Sequence, residues 1–286
     1  MDSIDCLLRI GLTALVVVLA PCLAVAAGTK IAGPARGGSP KEVAFVLLSA
    51  AKAPAGESIL KAFATFAPAG ARLVQDGAKL SFALDGSESL EMVLVPAAVL
   101  KSEADQNAKF SISSLGTSWK LPVHRAYLIL AYSPAASRPA LERLQRFTWL
   151  VAAVAQATGA VGIYLGGAQA THDPRFFIEM ARTPGLPALL MLWSGIDSAA
   201  DGPDRISLLS LGLRHLGLPE LRLTAPRGHG NEALEVMFDF LAYVAERGKR
   251  LPEGDTIGRT ADERLKVHYE QSPLDPAAQV WRVDLP

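Results

Sequence analysis

The sequence predicts an α+β fold, built as a layered mixed or antiparallel sheet with packed helices. Three observations lead there. Half of the 286 residues are hydrophobic and a fifth are charged, so the chain can bury a sizeable core. Apolar periodicities of about two and about 3.6 residues are interleaved along it, without the strict βαβ alternation of a doubly wound parallel sheet. Several consecutive strand candidates also read as antiparallel neighbours. A split-βαβ or ferredoxin-like arrangement is therefore expected, with enough chain for two ferredoxin-like halves. No sequence repeat points to a duplication.

The amino terminus is read as a signal peptide over residues 1–27. No charge occurs between Ile10 and Thr29, the densest apolar stretch runs from Leu12 to Ala20, and Pro21 stops any helix. Ala24-Val25-Ala26 supplies the small residues a signal peptidase accepts. Cleavage is expected after Ala26 or Ala27, giving a periplasmic or secreted protein. The alternative is an uncleaved N-terminal membrane anchor, since an uncharged run of this length can span a bilayer. Lipidation at Cys22 is disfavoured because Pro21 precedes it. Cys6 and Cys22 are the only cysteines. The mature chain thus has no thiol chemistry or disulfides, and packing alone must hold it. Removing the leader, with its Asp2, Asp5 and Arg9, leaves 27 basic and 26 acidic residues. That balance gives no bulk attraction for a polyanion, and nucleic acid is excluded as the expected partner.

Residues 28–42, rich in Gly and Pro, read as a flexible linker. One globular domain over 43–286 follows. Its expected elements begin with a strand at 43–49 and a helix at 57–66, where Ile59, Leu60, Phe63 and Phe66 share a face. A hairpin of 79–84 with 90–95 turns at Gly86. Residues 101–120 are polar and irregular. A near-continuous apolar run at 126–132 suggests a strand covered on both faces. The next helix starts with Ser137 as a possible N-cap and Pro139 in its first turn, and Gly159 closes it. A strand at 160–165 and a short helix at 175–181 come next, then strands at 189–193, 206–211 and 220–224. The clearest helix covers 232–247, striped by Leu234, Met237, Phe238, Leu241, Val244 and Ala245, capped by Asn231 and ended by Gly248. Strands at 265–269 and 280–283 complete the chain.

Gly217-Leu218-Pro219-Glu220-Leu221-Arg222-Leu223, the amphipathic helix with Phe240 and Tyr243, and Gly254-Asp255-Thr256-Ile257-Gly258 occur in the order of domain-of-unknown-function family 4261, which this region resembles. Weaker likeness extends upstream through Pro96-Ala97, through 124–128 and through 160–164. The resemblance implies a related fold and brings no reaction with it. The leader departs from many members of that family.

Few constellations carry chemistry. His124, His172, His215, His229 and His268 include no helix-borne metal pair, although His172-Asp173 and His124-Arg125 could each give one ligand. No metal site and no cofactor is expected. Nucleophile elbows, P-loops and dinucleotide fingerprints are missing, and Gly162, Gly166 and Gly167 fit no phosphate-cradling pattern. The best candidate is Arg227-Gly228-His229-Gly230-Asn231, leading into the strongest helix, where free N–H groups would favour an anion. The competing interpretation is a tight turn with Asn231 as cap. Asp255 and Thr256, between glycines, either shape a rigid loop or place Asp255, or neighbouring Glu253, beside His229 as an acid/base set. The binding candidates are accordingly Arg227, His229, Asn231, Asp255 and Thr256. The expected function is a non-catalytic binding or interaction domain with a small anion or a protein as partner. The alternative is a hydrolase-like or anion-recognising enzyme using Arg227, His229 and Asp255. N-terminal sequencing of the exported protein is expected to begin at Ala27 or Gly28; full-length chain recovered from membranes would overturn the signal-peptide reading.

Overall fold

The computed structural model describes residues 41–286 other than 78, 79, 86, 116 and 261, so the leader, most of the linker and the turn glycine Gly86 lie outside the described residues. β1 (Glu42–Leu48) alternates, turning Ala44, Val46 and Leu48 inward. α1 (Gly56–Phe63) buries Ile59, Ala62 and Phe63 on one face, as its spacing requires. A meander of β2 (Leu73–Gln75), β3 (Ser81–Leu84) and β4 (Glu88–Val95) follows, with Asp85 in the left-handed region at φ 46° between the last two. The polar stretch then forms α2 (Glu103–Asn107) among short 3-10 turns.

β5 (Ala126–Ser133) buries Ala126, Leu128, Leu130 and Tyr132, while the residues between them are only partly covered. The expectation of a strand enclosed on both faces is corrected: apolar side chains occupy both faces, but only the inner one is fully packed. α3 (Ala140–Thr158) begins after Pro139, which takes the N-cap position that Ser137 was expected to hold, and Gly159 closes it at φ 60°. β6 (Gly162–Leu165) and β7 (Ala170–His172) form a hairpin. Asp173 caps α4 (Pro174–Arg182) by accepting the Arg175 N–H.

The run expected as a strand at 189–193 is instead helical, within α5 (Leu186–Trp193). It is apolar on every side, so periodicity could not separate it from a buried strand. Pro187 in its first turn was the available helix signal. β8 (Gly195–Ala200), β9 (Arg205–Leu211) and β10 (Leu221–Pro226) make an antiparallel series. α6 (Gly230–Arg247) buries Val236, Met237, Phe238, Phe240, Leu241 and Val244 and ends at Gly248 in the left-handed conformation. The strand expected at 265–269 is broken into β12 (Leu265–Lys266), which pairs with β11 (Thr256–Ile257), and β13 (His268–Gln271). β14 (Gln279–Asp284) is the last element.

The strands form two principal sheets. The first has the order β2-β3-β4-β5-β1-β6-β7 and is antiparallel throughout. Within it, β1-α1-β4-β5-α3-β6 has the split-βαβ order, because β5 lies between β4 and β1 and β6 flanks β1 on the other side. The first half is therefore ferredoxin-like at its centre, extended at both edges. The second sheet has the order β13-β14-β10-β9-β8. Here β10 and β14 pair directly and in parallel, joined through α6, with no strand between them. A second ferredoxin-like half is thus corrected: β9 occupies one flank of β10, the strand returning after α6 takes the other, and the crossover is not split.

Each sheet has its own core. α1 and α3 cover the first, where Phe147 stacks on Tyr132 and meets Trp193, both at 5.7 Å between ring centroids. α6 covers the second, with Phe240 edge-on to Trp281 at 5.4 Å. Within the described residues no helix is long and apolar enough to cross a membrane. Because Phe238 lies in the second core at 5% exposure, Phe238→Ala should cost on the order of 3–5 kcal/mol, read as a lower denaturation midpoint in urea; an unchanged midpoint would mark α6 as peripheral.

Candidate functional site

Arg227, His229, Asn231, Asp255 and Thr256 are all exposed, on two loops near one end of the second sheet. The Arg227 N–H donates to the Asp204 carbonyl at 2.7 Å, which fixes the turn after β10. Gly228 adopts φ 106°, a conformation that suits glycine alone. The helix begins at Gly230, so Asn231 lies inside the first turn and His229 holds the N-cap position without a side-chain cap bond. The assignment of Asn231 as cap is corrected accordingly: the helix starts at Gly230, two residues before the expected start at 232. Gly254 at φ 79° and Gly258, whose added Cβ would lie 2.1 Å from the Glu263 carbonyl, shape the β11–β12 hairpin. Asp255 accepts the Thr256 N–H at 2.9 Å. The specific glycine motif is therefore explained by its backbone.

The acid/base set expected from His229 with Asp255 or Glu253 is not formed. His229 Nδ1 pairs with Glu232 at 3.0 Å, whereas Glu253 pairs with His268 Nδ1 at 2.7 Å and accepts the Tyr269 N–H at 2.6 Å. The two loops do meet, through a residue the sequence reading missed. Arg259 bonds Glu232 at 3.0 Å and Glu263 at 2.8 Å. The hydrogen bond from His229 and then the one from Arg259 hold the Glu232 carboxyl below the usual carboxylate range.

Glu263 leads from those loops into a groove of about 660 Å³ at the carboxyl ends of β10 and β14. Arg205, Arg264, Lys266 and Arg282 line it, opposed by Glu263 and Asp284. Arg205 is committed to Thr224 Oγ1 at 3.0 Å and the Leu285 carbonyl at 2.8 Å. Arg282 binds Asp284 at 3.0 Å and Glu270 at 3.3 Å. Arg264 and Lys266 are exposed and enter no ion pair among the described residues. Sequence could not find this cluster, because its members lie on three separate segments and carry no spacing signal.

The buried polar groups are largely closed on themselves. His172, fully buried, accepts the Ser111 O–H at Nδ1 (2.6 Å) and donates its Nε2–H to the Leu192 carbonyl (2.8 Å). Burial lowers its pKa to about 4, so the ring is neutral. His124 Nε2 accepts the Val99 N–H at 3.2 Å. His172 spends both ring nitrogens on the protein, and among the described residues no group of three or more His, Cys, Asp or Glu side chains is placed to hold a metal ion. Glu88 receives the Tyr132 hydroxyl at 2.8 Å together with Arg138 and Arg146. Glu220 accepts from Ser210 Oγ and the Gly212 N–H, both at 2.8 Å, and from the Leu213 N–H at 3.3 Å. It thereby pins the short turn Leu213–Leu216, which Gly217 ends at φ 72°.

Residues 209–284 match the family model described as Domain of unknown function (DUF4261). The resemblance seen in the sequence is borne out over that segment, which holds β10, α6, β14, both glycine motifs and most of the groove. No curated protein and no solved structure matches the chain.

The buried imidazole sets a pH dependence. His172 has a lower pKa folded than unfolded, so the unfolded state binds the proton more readily, and the stability contribution is complete above about pH 6.5 and lost as pH falls toward 4. Unfolding in urea should therefore show a loss of roughly 3 kcal/mol across that window, and the loss should shrink in His172→Gln. Identical pH profiles for the two proteins would exclude the buried neutral histidine as its source.

Proposed function

We propose that the protein is an exported, non-catalytic binding domain that recognises a small anion in the groove at the carboxyl ends of β10 and β14. The observation carrying this reading is the set of four cationic side chains, Arg205, Arg264, Lys266 and Arg282, around one concavity beyond the domain's parallel strand pair. Ligands of sheets with parallel strands favour that end, where helix N-termini and strand-end loops converge. α6 follows β10 and so presents its N-terminal N–H groups toward the same end. Arg227 is exposed there, beside the Asp204–Arg205 segment that its N–H holds.

The internal pairings limit what the groove can do. Asp284 and Glu263 are already engaged by Arg282 and Arg259, which leaves Arg264 and Lys266 as the groups able to take a new anionic partner. His229 and Asp255 stand on separate exposed loops with partners of their own, an arrangement that favours recognition over general acid/base chemistry. The leader read over residues 1–27 supports action outside the cytoplasm.

Calorimetric titration with inorganic phosphate and citrate tests this. Binding should be detected at millimolar concentration and weaken as sodium chloride is raised. Arg264→Ala with Lys266→Ala should lower affinity roughly ten- to hundredfold at an unchanged melting temperature, the loss expected for charge-assisted bonds. No heat with either anion, or equal affinity in the double variant, would overturn the assignment.

A further inference from the structure

Glu42 opens β1 with its side chain only 4% exposed, yet its cationic neighbours stand off. Arg143 Nε lies 3.6 Å from Oε1 and His215 Nδ1 lies 3.6 Å from Oε2, both beyond hydrogen-bond length. Among the described residues, Arg143 Nε and His215 Nε2 are themselves buried without a hydrogen-bond partner. The protein treats its other enclosed carboxylates differently, since the buried Glu88 and the half-buried Glu220 each collect several donors within hydrogen-bond range. Arg143 left in this condition costs stability, and a ligand that satisfies it recovers that stability.

These groups surround a second cleft, of about 420 Å³, which Lys41 and Arg214 also line. It lies at the seam of the two halves: β1 and the first turn of α3 form one side, and the Leu213–Leu216 turn pinned by Glu220 forms the other. The His215 ring is fixed. Its Nε2 edge lies against Gly167, where an added Cβ would approach to 1.7 Å, and Trp193 meets it edge-on at 5.9 Å between centroids. That contact gives a role to one of the two adjacent glycines that fit no phosphate pattern. Lys41 is turned toward Glu91 at 3.9 Å, which leaves Arg143 and the exposed Arg214 as the cations of the cleft.

We infer that this seam cleft is a second binding site, independent of the groove, for a small zwitterion of the amino-acid type. Its carboxylate is held by Arg143 and Arg214 and its ammonium by Glu42. The charge pattern selects that class. A simple anion meets the Glu42 carboxylate, and a simple cation meets the two guanidinium groups; only a molecule carrying both charges a few bonds apart complements both walls.

The full chain is titrated calorimetrically with the twenty L-amino acids singly, and with acetate and ethylammonium as half-ligands. At least one amino acid should bind with Kd below about 1 mM, with each half-ligand at least about tenfold weaker. Arg214→Ala should lose about tenfold or more while melting as the wild type does, because Arg214 is exposed, and Glu42→Gln should lose as much. The groove variant Arg264→Ala/Lys266→Ala should bind the amino acid normally, so failure here and failure at the groove are distinguishable. No heat from any amino acid at about 10 mM, acetate binding as tightly as the amino acid, or full affinity in Arg214→Ala would each overturn the inference.

Discussion

Helix α5 has no polar side, and the arrangement of both sheets follows from the need to enclose it. Leu189, Leu192 and Trp193 belong to the first core, Leu190 belongs to the second, and Leu186 and Met191 touch both. Burying such a helix against one sheet alone would leave an apolar face in water at about 25 cal/mol per Å². Its polar contacts then carry order outward. The Trp193 indole donates to Thr148 of α3 at 2.8 Å, the Leu192 carbonyl accepts a hydrogen bond from His172 Nε2–H, and the Trp193 ring meets His215 edge-on. One segment thus sets the spacing of the sheets, anchors the edge strand β7 and positions the turn at the seam.

The polar interior divides into groups that are finished and groups that are not. Ser111, Ser113 and His172 form a serine–histidine contact that resembles catalytic geometry in isolation. Burial removes that possibility, because the imidazole spends both nitrogens on the protein and Ser113 is tied in turn to the Asp173 N–H at 3.0 Å. The Glu88 cluster is similarly complete, binding β4 to β5 and to the start of α3. Glu42 is the exception among the buried carboxylates, and it sits where the two halves meet.

Much of the fold was legible because periodicity is a local property. The α6 stripe, the closing glycines Gly159 and Gly248 and the alternation of apolar residues at Leu221, Leu223 and Ala225 in β10 all follow from neighbours in sequence. The failures have physical reasons. In α5 the environment is apolar on all sides, which erases the period that separates helix from strand. β8 carries Gly195, Ser198, Ala199 and Ala200, small residues with little strand propensity, and exists through pairing with β9. The sites were less legible still. Glu42, Arg143 and His215 come from three distant segments, as do Arg205, Lys266 and Arg282, and only tertiary packing brings each set together. The glycine motifs were legible as turns, and turns are what they form.

The parallel pairing of β10 with β14 also dictates an order of events. The strands of the first sheet are complete at His172, so that half can close as soon as its own chain is available. The second half cannot, because the fully buried Trp281 and Val283 arrive on β14, which must insert between β13 and β10. Until it does, one face of α6 and one side of α5 remain in water beside a finished neighbour. A chain emerging amino end first therefore passes through a half-built state whose exposed apolar surface is covered only once β14 arrives.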